Sequence, residues 1–453
     1  MLAPWFCEEG WAPSPVPYLE GTLVFVAAVY AFETYLDYRQ HAKLHETSLP
    51  PALASAIAHI DDVSNEKEPS LLVQTQAKFE KSRLYSLDKS RFGFVTGAIH
   101  ELEGVLLLLG GYLPFMWVLS GRLVGFYGEI PQSLLFAVLT SCKDVIFNLP
   151  FELYSVFVLE ERHGFNKQTL RLFCTDKLQG LALSALLGLP LLAALLALIQ
   201  WGGDGFVFYV WLLTFSFTLL LLTIYPVLIM PLFNTFTPLP DGPLRHRIEA
   251  LAATLHFPLT QLFVCDGSKR SSHSNAYMYG FFHSKRIVLF DTLLTQANDN
   301  EIVAILGHEL GHWKLWHTLQ GFAFQQVYVI ALFYVFGRCM HDVALFRSFG
   351  FGATTPALPV MIGLTLFAQT LWAPVDKVLS FLLTYNTRQN EFAADAFAVQ
   401  LGHADALQSG LTKISLENLA NMNPDPMYSA YHYSHPPLLE RLCAIGITKH
   451  KTL

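Results

Sequence analysis

Long apolar runs alternate with shorter polar, basic ones along this chain, and that alternation predicts its main elements. A helix needs about 20 mostly apolar residues to cross a bilayer. Seven stretches meet the requirement: 18–38, 93–120, 129–159, 178–200, 206–232, 318–338 and 355–383. The fourth and fifth are the cleanest. The second carries His100, Glu101 and Glu103, the third Lys143, Asp144 and Glu152, and the seventh Pro374, Asp376 and Lys377. Ionisable groups are costly in lipid and turn towards protein or water. Asp376 and Lys377 also fit the end of a span, but the others together predict that the spans enclose a wet cavity.

Composition agrees. Of the 453 residues 53% are hydrophobic and only 14% charged, against about 25% charged in soluble domains. The net charge of −7 gives no case for nucleic acid as a partner. Basic residues set the sidedness. They gather after span one (Arg39, Lys43, Lys67, Lys78, Lys81, Arg83, Lys89, Arg91), after span three (Arg162, Lys167, Arg171, Lys177) and after span five (Arg245, Arg247, Lys269, Arg270, Lys285, Arg286). The alternate connections are poor in Lys and Arg. The N-terminal tail, 1–17, is therefore expected to be lumenal or external. Loops 39–92 and 160–177, segment 233–317 and the C-terminal segment 384–453 are expected in the cytosol. The tail has no Lys or Arg, hence no basic start to a signal peptide. The six cysteines are scattered, with no C-x-x-C pair, so neither disulfides nor a Cys-type metal site is expected. The chain ends Lys449-His450-Lys451-Thr452-Leu453. These lysines resemble a dilysine retrieval signal of endoplasmic reticulum membrane proteins, and a short basic tail also arises by chance.

The chemistry centres on Ile302–Trp316, which contains His308-Glu309-Leu310-Gly311-His312. Residues four apart share a helix face, so both imidazoles can reach one metal ion, and the carboxylate after the first His can take a proton from activated water. Asp299 or Asn300 can cap the helix and Glu301 favours its positive end. Gly307 and Gly311 weaken a helix, which predicts that bulk is being kept away there. Past the seventh span, the stretch from Asn386 on to Gly402 reads as a second helix. Its Glu391 fits a third ligand, and Asp395, one turn on, could fix the tautomer of a ligand His. A solvated acidic face with Arg388 fits the same pattern. Gln261–Asp266, Asn275–Gly280 and Arg286–Phe290 read as short strands. Asn275 and Ala276 are candidates for an edge that a peptide could extend; an ordinary hairpin is the alternative. His435, in Ser434-His435-Pro436-Pro437, sits in an extended turn and on its own reads as structural. Asn423-Pro424-Asp425 is similar to part of an intramembrane metalloprotease motif. Here it lacks the following Gly and has polar flanks, so it reads as a turn.

Together these stretches resemble the type I CAAX prenyl protease family. The likeness runs over nearly the whole chain. It includes Phe32–Gln40, Glu160–Thr169, Tyr225-Pro226, Pro231–Asn234 and Ser274–Tyr277, besides the H-E-x-x-H, Glu391-x-x-Ala394-Asp395 and Ser434–Pro437. The resemblance implies seven transmembrane helices enclosing a large water-filled chamber. It also implies a zincin-like cytosolic catalytic part, with a small β-hairpin in 233–317 and a zinc site near the chamber's cytosolic end. It makes His308, His312 and Glu391 ligands of one Zn2+, Glu309 the catalytic base, and Asn275 and Ala276 the substrate strand. His435 and Arg441 become groups that either back the ligands or act on the transition state. The implied activity is removal of the last three residues of a prenylated, farnesylated Cys-a-a-X protein at the endoplasmic reticulum membrane, with lipid around the protein; some members make a second, upstream cut. The rival readings are a quality-control zinc protease of the heat-shock type and a seven-span receptor or transporter with an accidental motif.

Overall fold

The computed structural model describes residues 2–63, 70–125, 127–281, 284–352 and 358–452. Lys67, the first residues of the seventh expected span (355–357) and Leu453 lie outside them. Within them, seven helices are long and apolar enough to cross a membrane: Tyr18–Lys43, Leu71–Gly110, Glu129–Glu160, Leu170–Trp201, Gly203–Phe233, His317–Cys339 and Val360–Gln400.

Two boundaries differ from the sequence reading in ways that matter. The second helix starts well before position 93 and stops at Gly110, because Gly111 takes a left-handed φ of +68° and a separate helix, Tyr112–Val124, begins. The polar residues ahead of position 93 therefore extend the span as helix instead of forming a loop. The seventh span does not end at 383. It runs on as helix to Gln400 and carries Glu391 itself. Between Pro374 and Gly402 there is no residue that breaks a helix. The third ligand candidate thus hangs from a membrane span.

The spans close on one another. The first packs on the second, the second through Tyr112–Val124 on the third, and so on in order; the seventh packs on both the sixth and the first. Only its first turns, Val360–Phe367, also reach the fourth. A ring of this kind has an inner wall as well as an outer one. The accessible surface is 22863 Å², against about 17,000 Å² for a compact monomer of this mass. Polar groups join neighbouring spans: Glu103 to Lys143 at 2.6 Å, Glu152 to Lys177 at 2.6 Å, Glu33 to Lys377 at 2.6 Å, and Tyr328 to Asp376 at 2.8 Å. Their side chains are partly exposed, a state that lipid does not permit but chamber water does. An apolar cluster that includes Leu19, Trp117, Phe346 and Phe351 joins spans one, three and seven. The N-terminal segment is tied over it by Trp11 Nε1, which donates to the carbonyl of Arg347 at 2.7 Å.

A mixed sheet belongs to the segment between spans five and six. Its strands are β1 (Phe236–Pro238), β2 (Leu259–Cys265), β3 (Ala276–Phe281) and β4 (Ser284–Phe290), in the order β1-β2-β4-β3. The expected hairpin is β3–β4 and the expected strand at Gln261–Asp266 is β2, which runs parallel to β4; β1 is the addition. β1 is three residues long and ends in Pro238, too short to show a period-two pattern. Apolar faces of β2 and β4 (Leu262, Ile287, Leu289) pack on Ile302, Leu306 and Leu310 of the helix Asp299–Lys314. The tail is helical through Thr452, and Lys449 pairs with Asp405 at 2.6 Å, so the terminal lysines do not form an extended end.

Candidate metal centre

The helix Asp299–Lys314 starts from a capping box. Asn298, not Asp299 or Asn300, is the cap: its side chain accepts from Glu301 N, and the Glu301 side chain accepts from Asn298 N at 2.9 Å. Glu301 is also held by Ser409 Oγ and by Lys413 Nζ at 2.9 Å. The first turn is thereby fixed and buried, which orients His308 and His312 two and three turns on.

The two glycines explain how a second helix reaches these rings. A Cβ at Gly311 would lie 3.1 Å from the Phe397 ring and 3.3 Å from the Ala394 backbone; one at Gly307 would touch His403, Leu401 and Ala398 at 3.6–3.8 Å. With Ala394 and Ala398 opposite, Ala373–Gln400 lies close against the ligand helix. Glu391, one turn before Asp395 on that helix, then falls beside both imidazoles.

His308 Nε2 lies 3.1 Å from His312 Nε2. Glu391 contributes Oε2 at 3.5 Å from the first and Oε1 at 3.3 Å from the second. Three ligand atoms thus converge within 4.8 Å of one another. The outer nitrogen of His308, Nδ1, sits 2.8 Å from Asp395 Oδ1. A proton on Nδ1 leaves the Nε2 lone pair facing His312 and Glu391. Arg441 holds Asp395 with two bonds, Nε to Oδ2 at 2.8 Å and Nη2 to Oδ1 at 2.6 Å; its Nη1 is 3.8 Å from Glu391 Oε2. His435 is 67% exposed, with Nδ1 3.0 Å from Glu391 Oε2. The residues suit a cation on their own chemistry: two imidazole lone pairs and a buried carboxylate repel one another unless something positive lies between them.

The electrostatics follow from burial. Burial opposes a charge on His308, but Asp395 and then Glu391 outweigh it and raise its pKa to about 9. The Glu391 carboxylate faces both imidazoles, and Asp395 is paired by Arg441 and His308. Burial raises the Glu309 pKa above the usual carboxylate range, with both imidazoles pulling the other way.

Of the remaining sequence candidates, Ala276 opens the edge strand β3. Phe290 N donates to Asn275 O at 3.0 Å while Ala276 pairs with Leu289. In an antiparallel ladder this register turns the Ala276 N–H and C=O away from β4, out to the open edge. Ala276 N meets the Asn275 side chain at 2.8 Å, and β3 packs beside the ligand helix. Sequence reasoning missed His317, whose Nδ1 lies 2.9 Å from His312 Nδ1. The chain bends back there at Trp316, φ +62°, and no pattern announces that. It also left Arg388 open to a solvated face. In fact Arg388 is buried, pairing with Glu440 at 2.6 Å and so tying the Glu391 helix to the helix that bears Arg441.

A two-His, one-carboxylate cluster on helices continuous with or next to membrane spans is the arrangement of a membrane metallopeptidase, and comparison with known proteins agrees. Residues 38–235 match the family described as CAAX prenyl protease N-terminal, five membrane helices, and residues 238–448 match Peptidase family M48. The CAAX prenyl protease 1 homologue of Arabidopsis thaliana is 48% identical over 96% of this chain and 99% of its own. That of Homo sapiens is 41% identical over 94% and 95%. The crystal structure of S. mikatae Ste24p superposes with a TM-score of 0.84 at 37% identity, covering 96% of this chain and all of that one. The chain belongs to the CAAX prenyl protease 1 family.

Proposed function

We propose that this protein is an integral-membrane zinc metalloendopeptidase that removes the last three residues of prenylated Cys-a-a-X proteins. The convergence of His308, His312 and Glu391, backed by Asp395 and Arg441, carries this reading. Zinc is favoured because it takes imidazole and carboxylate ligands in sites of three protein groups and a water, and His308, His312 and Glu391 bring one ligand atom each within 4.8 Å of one another. The substrate class comes from relatives named CAAX prenyl protease 1 that match along nearly their full length. The same breadth argues against the heat-shock quality-control reading.

Zinc, once bound, supplies Lewis acidity that brings water's pKa towards neutrality and polarises the scissile carbonyl. Glu309, its pKa raised by burial, accepts the proton of the attacking water and hands it to the leaving amine. Asp395 keeps His308 in the tautomer a ligand needs, and Arg441 holds Asp395 in place. His435, exposed beside Glu391, can turn to donate to the developing oxyanion. The peptide lies along β3, its main chain bonded to the outward groups of Ala276 and to Asn275, and the lipid rests in the chamber. The basic loops favour a lumenal N-terminus and a cytosolic site, and the family favours the endoplasmic reticulum membrane.

The test is cleavage of a farnesylated Cys-a-a-X peptide by purified protein with and without a chelator. We expect release of the a-a-X tripeptide, lost on chelation and restored by Zn2+. Cleavage of an unmodified unfolded protein at equal efficiency would contradict the substrate assignment.

A further inference from the structure

The stretch Glu160–Thr169 is among the longest that carry the family likeness, yet it holds no group of the metal centre. Its position in the fold gives it work to do. It leaves the third span and folds back on that helix end, with Phe165 N donating to Glu160 O at 2.9 Å and Gly164 at φ +82°. It then pairs with the chain just ahead of β3. Asn166 and Ser271 form an antiparallel bridge, with Lys167 N to Arg270 O at 3.1 Å and Ser272 N to Phe165 O at 3.3 Å. Phe165 is buried and stacks on the His273 ring, centroids 4.2 Å apart and planes 17° apart. From the other side Asn418 Oδ1 accepts from Ser274 N at 3.2 Å and meets His273 Nδ1 at 3.2 Å.

We infer that Phe165 and Asn418 are positioning residues for the substrate strand: together they brace His273-Ser274 so that Asn275 and Ala276 present their edge at the height of the metal centre. The inference rests on the proposed peptidase activity. β3 is an edge strand, with a ladder on one side only. Its outward groups bind a peptide well only if the strand's start is held before the peptide arrives. The metal ligands stand on other helices and need no brace from this loop. Loosening it therefore weakens peptide binding and leaves the ion in place.

The experiment uses full-length, zinc-loaded protein, a farnesylated Cys-a-a-X peptide, and the variants Phe165→Ala, Asn418→Ala and Asn418→Asp. One or two lost contacts of this kind predict a rise in KM of about five- to tenfold for each alanine variant. Metal content stays at the wild-type value and kcat changes little in both alanine variants; the thermal midpoint falls for Phe165→Ala, which empties a buried site, and stays near wild type for Asn418→Ala. Asn418→Asp keeps the accepting oxygen and restores KM. The same order is expected for peptide affinity in a Glu309→Gln background, which reads binding without turnover. Unchanged KM in both alanine variants, or a fall in metal content with KM unchanged, would overturn the inference while the wild type still cleaves. A wild type that cleaves no such peptide would instead refute the activity, and the brace with it.

Discussion

The membrane ring and the metal centre both carry charged side chains away from bulk solvent, and they treat them in opposite ways. In the ring, Glu103–Lys143 and Glu152–Lys177 are joined at 2.6 Å, yet their side chains remain 23–37% exposed. Each pair bridges two neighbouring helices and is wetted from the chamber side. At the metal centre Glu391 and Asp395 are 3% and 1% exposed and His308 7%. The same residue types are worth little in the first setting and a great deal in the second, because screening by water is what separates them. Ring charges are tolerated so that the cavity can be wet; centre charges are buried so that a proton and a cation compete for one set of lone pairs.

That contrast can be broken at several points. The largest effect is expected at Glu309. Glu309→Gln keeps size and burial but cannot take a proton, so peptide cleavage should fall by about 10³-fold or more with metal content unchanged by elemental analysis. Asp395→Ala comes next. Without it His308 loses its tautomer lock and Arg441 loses both of its short bonds, so metal affinity should fall by about 10- to 100-fold, read by competition with a chelating dye. A smaller, diagnostic effect is pH-dependent. In metal-stripped protein the raised His308 pKa of about 9 means that this ring is protonated at pH 7.5. Metal binding there should release about one proton by calorimetry in buffers of different ionisation heat, and the release should fade as pH passes 9. The sign for stability is the matching one: the stripped protein keeps this group's contribution below about pH 6.5 and loses it as pH rises through 9. The smallest effect is expected in the ring, where Lys143→Gln should shift thermal stability by less than about 1 kcal/mol and leave cleavage near wild type.

Much of this was legible in the sequence, and the reasons differ by element. The spans were legible because lipid admits few solutions, and His308, Glu309 and His312 because four residues make one helical turn. Glu391 was legible as a ligand on a helix, but the continuity of that helix with the seventh span was not: hydropathy falls after position 383, whereas the helix continues because nothing in Tyr385–Gln400 stops it. β1 and the parallel pairing of β2 with β4 left no signal, since a three-residue strand has no period. His317 and Arg388 were illegible for a related reason. Each matters only through a partner brought near by tertiary packing, His312 in one case and Glu440 in the other.

The most direct test of the central claim, that two helices joined to different spans grip one ion, is anomalous X-ray diffraction at the zinc edge on crystals of the purified protein. The account predicts one strong peak about 2.0–2.2 Å from His308 Nε2, His312 Nε2 and a Glu391 carboxylate oxygen. A peak bound elsewhere, or one that excludes Glu391, would contradict it.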